Sequence, residues 1–482
     1  MLLGLVVSIT LAYLLDIRFD EAFTLNTTSQ GPVYAARQAI KFEQQSPLYF
    51  VVLSLWRYID PSVFFARLFS VLCVPLFVLV AAEVSKRYLK NVNPLLAAAI
   101  IALHQQVVWN SLDIRLYALM MLLSGLLFFL FYDGYLAETP RTRSRVLYII
   151  VAVLSLYTQY YLGFQLVAGA FALLVLRRWR PLRQYVLDML IAGVVFAPML
   201  FVVTGQVSAV GERTNDSFSR LLLMKGLYQQ IVPLAISVQW IEPESLKRWS
   251  VRIVIFIIAV LFVKKLLAGR KAEDIALGTI TLALTAIFFV TYYFLGDEGL
   301  QQRHMSSLIL PLVLLPLSAL SIFKNSKFIY GWLALAVFLN IGSLYAVYKP
   351  MAKPGDFRRV AQYLIANERA DQPILVIHAD AVLPLAYYYK GQNKLVAVPQ
   401  QNSFDDWNPR NNIIKDEAQI LDLIDKQPNK PERFWLVNDG WCGQGSVSFN
   451  CQILEDVVNK YFETESTQEF FEPTTVRLLR RK

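Results

Sequence analysis

The sequence predicts an α-helical polytopic membrane protein of about eleven transmembrane helices, followed by a small C-terminal α/β domain. Three observations lead there. Hydrophobic residues make up 56% of the 482 and charged residues only 17%, with a mean hydropathy of +0.44, which is more apolar residue than a soluble core needs. Lys and Arg gather in short runs between apolar segments, as the positive-inside rule requires. After Pro350 the composition becomes that of a soluble domain. The net charge of +10 therefore reflects membrane orientation, and nucleic acid is set aside as a partner.

In chain order, the first apolar stretch, Met1 to Leu15, lacks the basic n-region and small-residue cleavage site of a signal peptide. It predicts a retained anchor whose shortness fits a few residues missing upstream. Further spanning segments fall at 62–85, 94–110, 114–133, 146–160, 162–177, 184–204, 249–267, 275–295, 305–323 and 328–348. The stretch from Val146 to Leu176 reads equally as one span plus a re-entrant segment. Basic clusters recur at every second junction: Lys86, Arg87 and Lys90; Arg141, Arg143 and Arg145; Arg177, Arg178, Arg180 and Arg183; Lys264, Lys265, Arg270 and Lys271; Lys324 and Lys327. These loops face the cytoplasm. The connections 16–61, 110–113, 205–248 and 296–304, and everything after Tyr348, then lie outside. Within the first outer loop, Ser46 to Tyr58 is apolar, too short to cross, and carries Trp56 and Tyr58, so it reads as an interfacial helix or, alternatively, a short span that would invert the charge parity downstream.

The chain divides into a transmembrane domain, 1–349, and a soluble extracytoplasmic α/β domain, 350–482. In the latter, strands are expected at Ile374–His378, Lys394–Val398, Arg433–Asn438 and Thr475–Leu479, and helices at Phe357–Asn367, Leu383–Lys390, Ile413–Asp425 and Ile453–Phe462. Cys442 and Cys451 flank the segment GQGSVSFN, a spacing open to a hairpin disulfide or to two reduced thiols. Cys73 lies alone in an apolar helix as a small core residue.

Polar residues collect at the outer junctions. Asp20 and Glu21 in DIRFDEAFT follow the first span; a partly desolvated carboxylate there can take a proton from a hydroxyl, although an acidic loop is more often simply solvated. Asp113 and Arg115 in WNSLDIRLYAL sit at the next outer mouth, where a guanidinium can grip a phosphate or merely snorkel beside its neighbour. Gln159, Tyr160 and Tyr161 form a third patch, for which an interfacial aromatic belt is the plainer reading. Arg303 and His304 form a fourth, and with no second His nearby a metal site has little support. Glu212, Arg213 and Asp216 read as solvated surface, and Asn26-Thr27-Thr28 and Asn215-Asp216-Ser217 fit the N-glycosylation pattern.

The order of these pieces resembles a known family: a first span, a DE pair, a short SPLYF helix, an ARL start to the next span, then LDIRLYAL, LYTQYYL, and an RH step before a Leu/Pro-rich span. It is similar to the GT-C class of membrane glycosyltransferases, specifically prokaryotic relatives of the protein O-mannosyltransferases (dolichyl-phosphate-mannose mannosyltransferase-like proteins) and of the lipid A aminoarabinose transferase, over roughly residues 1–350. The resemblance implies a polyprenyl-phosphate sugar donor, a lipid, glycan or protein acceptor, an inverting transfer on the outer face of a prokaryotic plasma membrane, and no nucleotide site. It implies Asp20 as base with Glu21 orienting the acceptor or assisting electrostatically. The family segment often reads QEARMYAL, so Arg115, Tyr117 and Ala118 match while the acid's place differs at Asp113. A family His is often found where this chain has Gln159, beside Tyr160, and Arg303, followed by His304, matches a basic residue suited to phosphate. No cofactor is required, and a divalent metal near the acids, found in some relatives, is compatible with the sequence. A transporter or flippase for a lipid-linked saccharide is the rival class; it predicts related halves and broken midplane helices, whereas no internal repeat is evident and the polar groups collect on one side. A membrane scaffold with an outer sensor domain would not need these charges.

Overall fold

The computed structural model describes residues 2–213, 220–238, 240–323, 325–405, 408–428, 430–444, 447–471 and 474–482. As far as Tyr348 the elements are helical. Helix α1 (Leu2–Leu14) leads into three short helices, α2 (Phe19–Thr27), α3 (Pro32–Lys41) and α4 (Leu48–Trp56), then α5 (Val63–Tyr88), α6 (Pro94–Leu103), α7 (Gln105–Ser111) and α8 (Tyr117–Phe131). There follow α9 (Thr142–Thr158), α10 (Leu162–Val175), α11 (Trp179–Arg213), α12 (Arg220–Ala235), α13 (Glu244–Ala268), α14 (Ala272–Gly299), a 3₁₀ segment Gln302–Leu308, α15 (Ile309–Leu320) and α16 (Lys327–Tyr348).

Every apolar segment marked in the sequence is helical, and among the described residues six helices are long and apolar enough to cross a membrane. Large apolar side chains such as Leu190, Val194, Phe201, Phe256 and Leu282 point outward, the reverse of a soluble surface and suited to lipid. The chain is an integral membrane protein. Two helices, α9 and α10, occupy Val146 to Leu176, separated only by Gln159–Tyr161. The segment 94–110 breaks at His104, whose backbone is extended and whose Nδ1 accepts from the Gln106 backbone N–H at 3.2 Å. The apolar stretch Ser46 to Tyr58 is the nine-residue α4. Asn215-Asp216-Ser217 lies outside the described residues, as do the side chains of Glu212 and Arg213.

Helix α5 acts as a ruler through this bundle. Arg67 in its first turns joins the charged cluster described below, whereas Arg87 in its last turn pairs with Asp133 at 2.8 Å. At 1.5 Å per residue the two lie about 30 Å apart, the thickness of a hydrocarbon core. Near the Arg87 end three further basic residues are paired: Arg145 with Asp188 at 2.8 Å, Lys265 with Asp274 at 2.6 Å and Lys90 with Glu273 at 2.6 Å.

Beyond Tyr348 the chain forms an α/β unit with α17 (Phe357–Asn367), β1 (Ile374–Ile377), α18 (Val382–Tyr388), β2 (Leu395–Ala397), α19 (Glu417–Asp425), β3 (Arg433–Asn438), the hairpin β4 (Gly443–Gln444) and β5 (Val447–Ser448), α20 (Cys451–Tyr461), β6 (Phe462–Glu469) and β7 (Thr475–Arg481). The main sheet runs β2-β1-β3-β7-β6, with β2, β1 and β3 parallel and β7 and β6 antiparallel. Leu375, Ile377, Phe434 and Leu436 pack one face against α19 and α20, and Ile374, Val376, Trp435 and Val437 pack the other against α17. Strand β6 was not expected: its sequence FETESTQE is almost wholly exposed and polar, so it has no apolar alternation to read. Asp416 caps α19 by accepting from the Gln419 N–H at 2.8 Å, which starts that helix later than Ile413. Cys442 and Cys451 form a disulfide with Cα atoms 5.7 Å apart.

Candidate active site

The site is built on the first turn of α2. Glu21 stands three residues into the helix, and its Oε2 accepts from the Arg18 backbone N–H at 3.1 Å, the reach-back half of a capping box that fixes where the helix begins. Both carboxylates of the DE pair occupy that first turn, where the helix dipole favours negative charge.

Asp20 and Glu21 then diverge. Glu21 is fully buried: Oε1 meets Arg67 Nε at 3.0 Å and the Ile114 N–H at 3.2 Å, and Oε2 meets Lys353 Nζ at 2.7 Å. Burial works against its ionised form, but Arg67 and Lys353 prevail and hold the carboxyl below the ordinary glutamate range. With its oxygens so occupied, Glu21 has no surface for an acceptor. Asp20 keeps its side chain 24% exposed. Its Oδ2 is ion-paired with Arg303 and lies 3.4 Å from Arg18 Nη2. Desolvation raises this carboxyl, yet Arg303, Arg18 and Arg115 together outweigh it, so Asp20 is held far below the ordinary range and stands ionised.

Around this pair are further ions. Asp113, 1% exposed, takes Arg18 Nη2 at 2.6 Å and Lys353 Nζ at 3.1 Å. Arg115 is buried, with Nη1 on Glu43 at 2.5 Å, on Thr24 Oγ1 at 2.9 Å and near the Asp20 carbonyl at 3.4 Å. It braces the backbone of α2 rather than lying open to a ligand. Arg303, 20% exposed, lies over the Tyr117 ring at 5.5 Å, and its Nε has no partner among the described residues. His304 sits between the tilted rings of Tyr117 at 5.7 Å and Tyr161 at 5.5 Å, and its Nδ1 accepts from the Gln301 N–H at 3.1 Å, so it fixes the turn that carries Arg303.

Asp20, Glu21, Asp113, Arg115 and Arg303 therefore converge, with Tyr117 and His304 beneath Arg303. Gln159 and Tyr160 stand to one side, Gln159 buried against Gln45 at 3.4 Å and Tyr160 packed on Phe196 at 6.1 Å. Four members of the cluster were not singled out in the sequence: Arg18, Glu43, Arg67 and Lys353. For Arg67 the signal was present, since an ionisable residue four positions into an apolar span is rarely idle.

The donor set does not suit a divalent cation. Asp20, Glu21, Glu43 and Asp113 are each already neutralised by Arg or Lys, and among the described residues no three His, Cys, Asp or Glu side chains are grouped to hold a metal.

No protein-family profile and no curated protein matches the sequence. Solved structures do. The chain superposes on ArnT from Cupriavidus metallidurans in the apo state with a TM-score of 0.56 at 13% identity, over 99% of this chain and 97% of that one. It superposes equally on the same protein bound to undecaprenyl phosphate, with a TM-score of 0.56 at 14% identity and the same coverage. This chain shares the fold of ArnT over 99% of its length, helical bundle and terminal α/β unit together.

Proposed function

We propose that this protein is a glycosyltransferase that moves a sugar from a polyprenyl-phosphate donor to an acceptor hydroxyl at the outer face of a prokaryotic plasma membrane, inverting the anomeric centre. The observation that carries it is the Asp20–Arg303 pair: an ionised, partly exposed carboxylate touching a guanidinium with unused donors, set at one end of an apolar bundle. ArnT, whose fold this chain shares, binds undecaprenyl phosphate, and a donor of that kind needs an ionic headgroup site next to lipid.

The chemistry follows from who competes for Arg303. While Arg303 grips Asp20 the carboxylate is a weak base. A donor phosphate draws Arg303 toward itself through bidentate bonds, and Asp20 regains basicity as its counter-charge leaves. Asp20 then takes the proton of the acceptor hydroxyl, the acceptor oxygen bonds to the anomeric carbon, and the bond from that carbon to the phosphate oxygen breaks with its electron pair leaving on the polyprenyl phosphate. Arg303 stabilises the departing anion. Tyr117 and His304 hold Arg303 in place, Arg115 and Glu43 brace α2, and Glu21 acts electrostatically from below. Orientation rests on the charge pattern: the Arg87 end of α5 carries the basic loops and faces the cytoplasm, so the Arg67 end, with Asp20, faces out. The disulfide Cys442–Cys451 fits an oxidising compartment for the α/β domain.

The test is transfer from radiolabelled undecaprenyl-phosphate hexoses and pentoses into lipid, glycan and protein fractions of membranes holding equal amounts of wild type or Asp20→Asn. Transfer by wild type and a loss of roughly 10² to 10⁴ in the variant is expected for removal of a general base. Equal transfer by both removes Asp20 from the role. Movement of the intact lipid-linked sugar across the bilayer without transfer would establish the transporter instead.

A further inference from the structure

We infer that the C-terminal α/β domain is part of the catalytic machinery, and that Lys353 is a positioning residue that holds the Asp20 loop in its working arrangement. The inference rests on the reading of Asp20 as base. Lys353 follows the last helix of the bundle by a few residues, yet its side chain is only 2% exposed and reaches into the charged cluster. An ammonium has three N–H donors, and here each has its acceptor: Glu21 Oε2 at 2.7 Å, the Leu112 carbonyl at 2.7 Å and Asp113 Oδ1 at 3.1 Å. Its backbone N–H donates to Asp16 Oδ1 at 2.7 Å. One residue thus ties the loop after α1 to the junction between α7 and α8.

The rest of the domain grips the same short stretch. Tyr388 Oη accepts from the Ile17 N–H at 2.9 Å, and Arg358 Nη1 donates to the Leu14 carbonyl at 2.7 Å. The Phe19 ring stands edge-on to Phe357 at 5.3 Å and against His378 at 5.0 Å. These contacts fall on Leu14 to Phe19, just before Asp20, and Lys353 holds Glu21 just after it.

The link to Asp20 is Arg18, shared between Asp113 at 2.6 Å and Asp20 at 3.4 Å. Lys353 neutralises part of Asp113. Without it Asp113 and Glu21 are two buried carboxylates with one cation fewer, Arg18 is drawn wholly to Asp113, and Asp20 loses one of the two guanidiniums that fix its carboxylate. A displacement of 1 Å at a reacting group costs about 10²-fold in rate.

The experiment compares full-length wild type, Lys353→Met, Tyr388→Phe and Asp20→Asn in nanodiscs, reading transfer from the labelled undecaprenyl-phosphate sugar that wild type accepts, affinity for undecaprenyl phosphate, and deuterium exchange of residues 14–27. For Lys353→Met the expectation is a fall in kcat of about 50-fold with donor KM changed less than about threefold, and faster exchange confined to 14–27. Adding Asp113→Asn to Lys353→Met removes the uncompensated carboxylate and restores part of the exchange protection. If Lys353→Met does not fold, Tyr388→Phe decides: a several-fold loss of kcat with faster exchange at 14–27 supports the inference. Wild-type kcat and exchange in whichever of these variants fold overturn it, as does loss of thermal stability with unchanged kcat per folded molecule. Asp20→Asn separates the two ideas. An active Asp20→Asn sinks the base and leaves exchange to judge the positioning role, whereas an inactive Asp20→Asn beside a fully active Lys353→Met sinks the positioning role alone.

Discussion

Asp16 shows how finely the cluster is balanced. Its Oδ1 accepts the Lys353 N–H, while its Oδ2 is buried with no partner among the described residues. Burial, only partly offset by the hydrogen bond from Lys353, pushes this carboxyl up to about 6. A folded acid with a raised pKa holds its proton where the unfolded chain has lost it, so stability falls as pH rises from about 4 to about 6 and the whole penalty, on the order of 3 kcal/mol, is present above that window. Asp16→Asn is expected to flatten that slope in thermal unfolding between pH 4 and 7; an unchanged slope contradicts the assignment. At this scale the sequence was informative where a charge sits at the mouth of an apolar helix, as with Asp20, Asp113, Arg115 and Arg303. Glu43 and Lys353 lie in polar stretches where one more charge carries no contrast, and Arg18 stood inside DIRFDEAFT overshadowed by its acids. Of the alternatives open in the sequence, burial of Glu21 disfavours its orienting the acceptor and leaves electrostatic assistance, and the Arg115–Glu43 pair disfavours Arg115 as a phosphate grip.

Among the elements, α5 is the most consequential, since one continuous helix joins the Glu21 cluster at Arg67 to the basic end at Arg87. Apolar runs made the helices of the bundle readable, and short runs of buried apolar residues made β1 and β3 readable. Strand β6 pairs with β7 along its length yet buries little more than Phe462, so tertiary pairing alone makes it a strand. The β4–β5 hairpin is closed by Cys442–Cys451, nine residues apart. A loop of that size predicts a stabilisation of about 2.5 kcal/mol. Replacing both cysteines by serine should lower the unfolding transition of the α/β domain accordingly; an unchanged transition would mean that hydrogen bonding of the hairpin suffices.

At the scale of the whole molecule, bundle and α/β domain meet at the segment that carries Asp20, and the architecture matches ArnT from end to end at 13% identity. Sequence order suggested that class, but the meeting of the two parts was beyond it, because Lys353 and Tyr388 lie 332 and 371 residues from their partners Glu21 and Ile17. In the proposed reaction Asp20 deprotonates the acceptor while Arg303 serves the donor phosphate. Rapid-quench single turnovers decide this: purified protein saturated with the labelled undecaprenyl-phosphate sugar that wild type accepts is mixed with the acceptor that wild type glycosylates, and cleavage of the sugar–phosphate bond is followed in wild type, Asp20→Asn and Arg303→Met. Cleavage at least about 10²-fold slower in Asp20→Asn with donor affinity retained, and weakened donor affinity in Arg303→Met, are the expected results; cleavage by Asp20→Asn at the wild-type rate rules Asp20 out as the base.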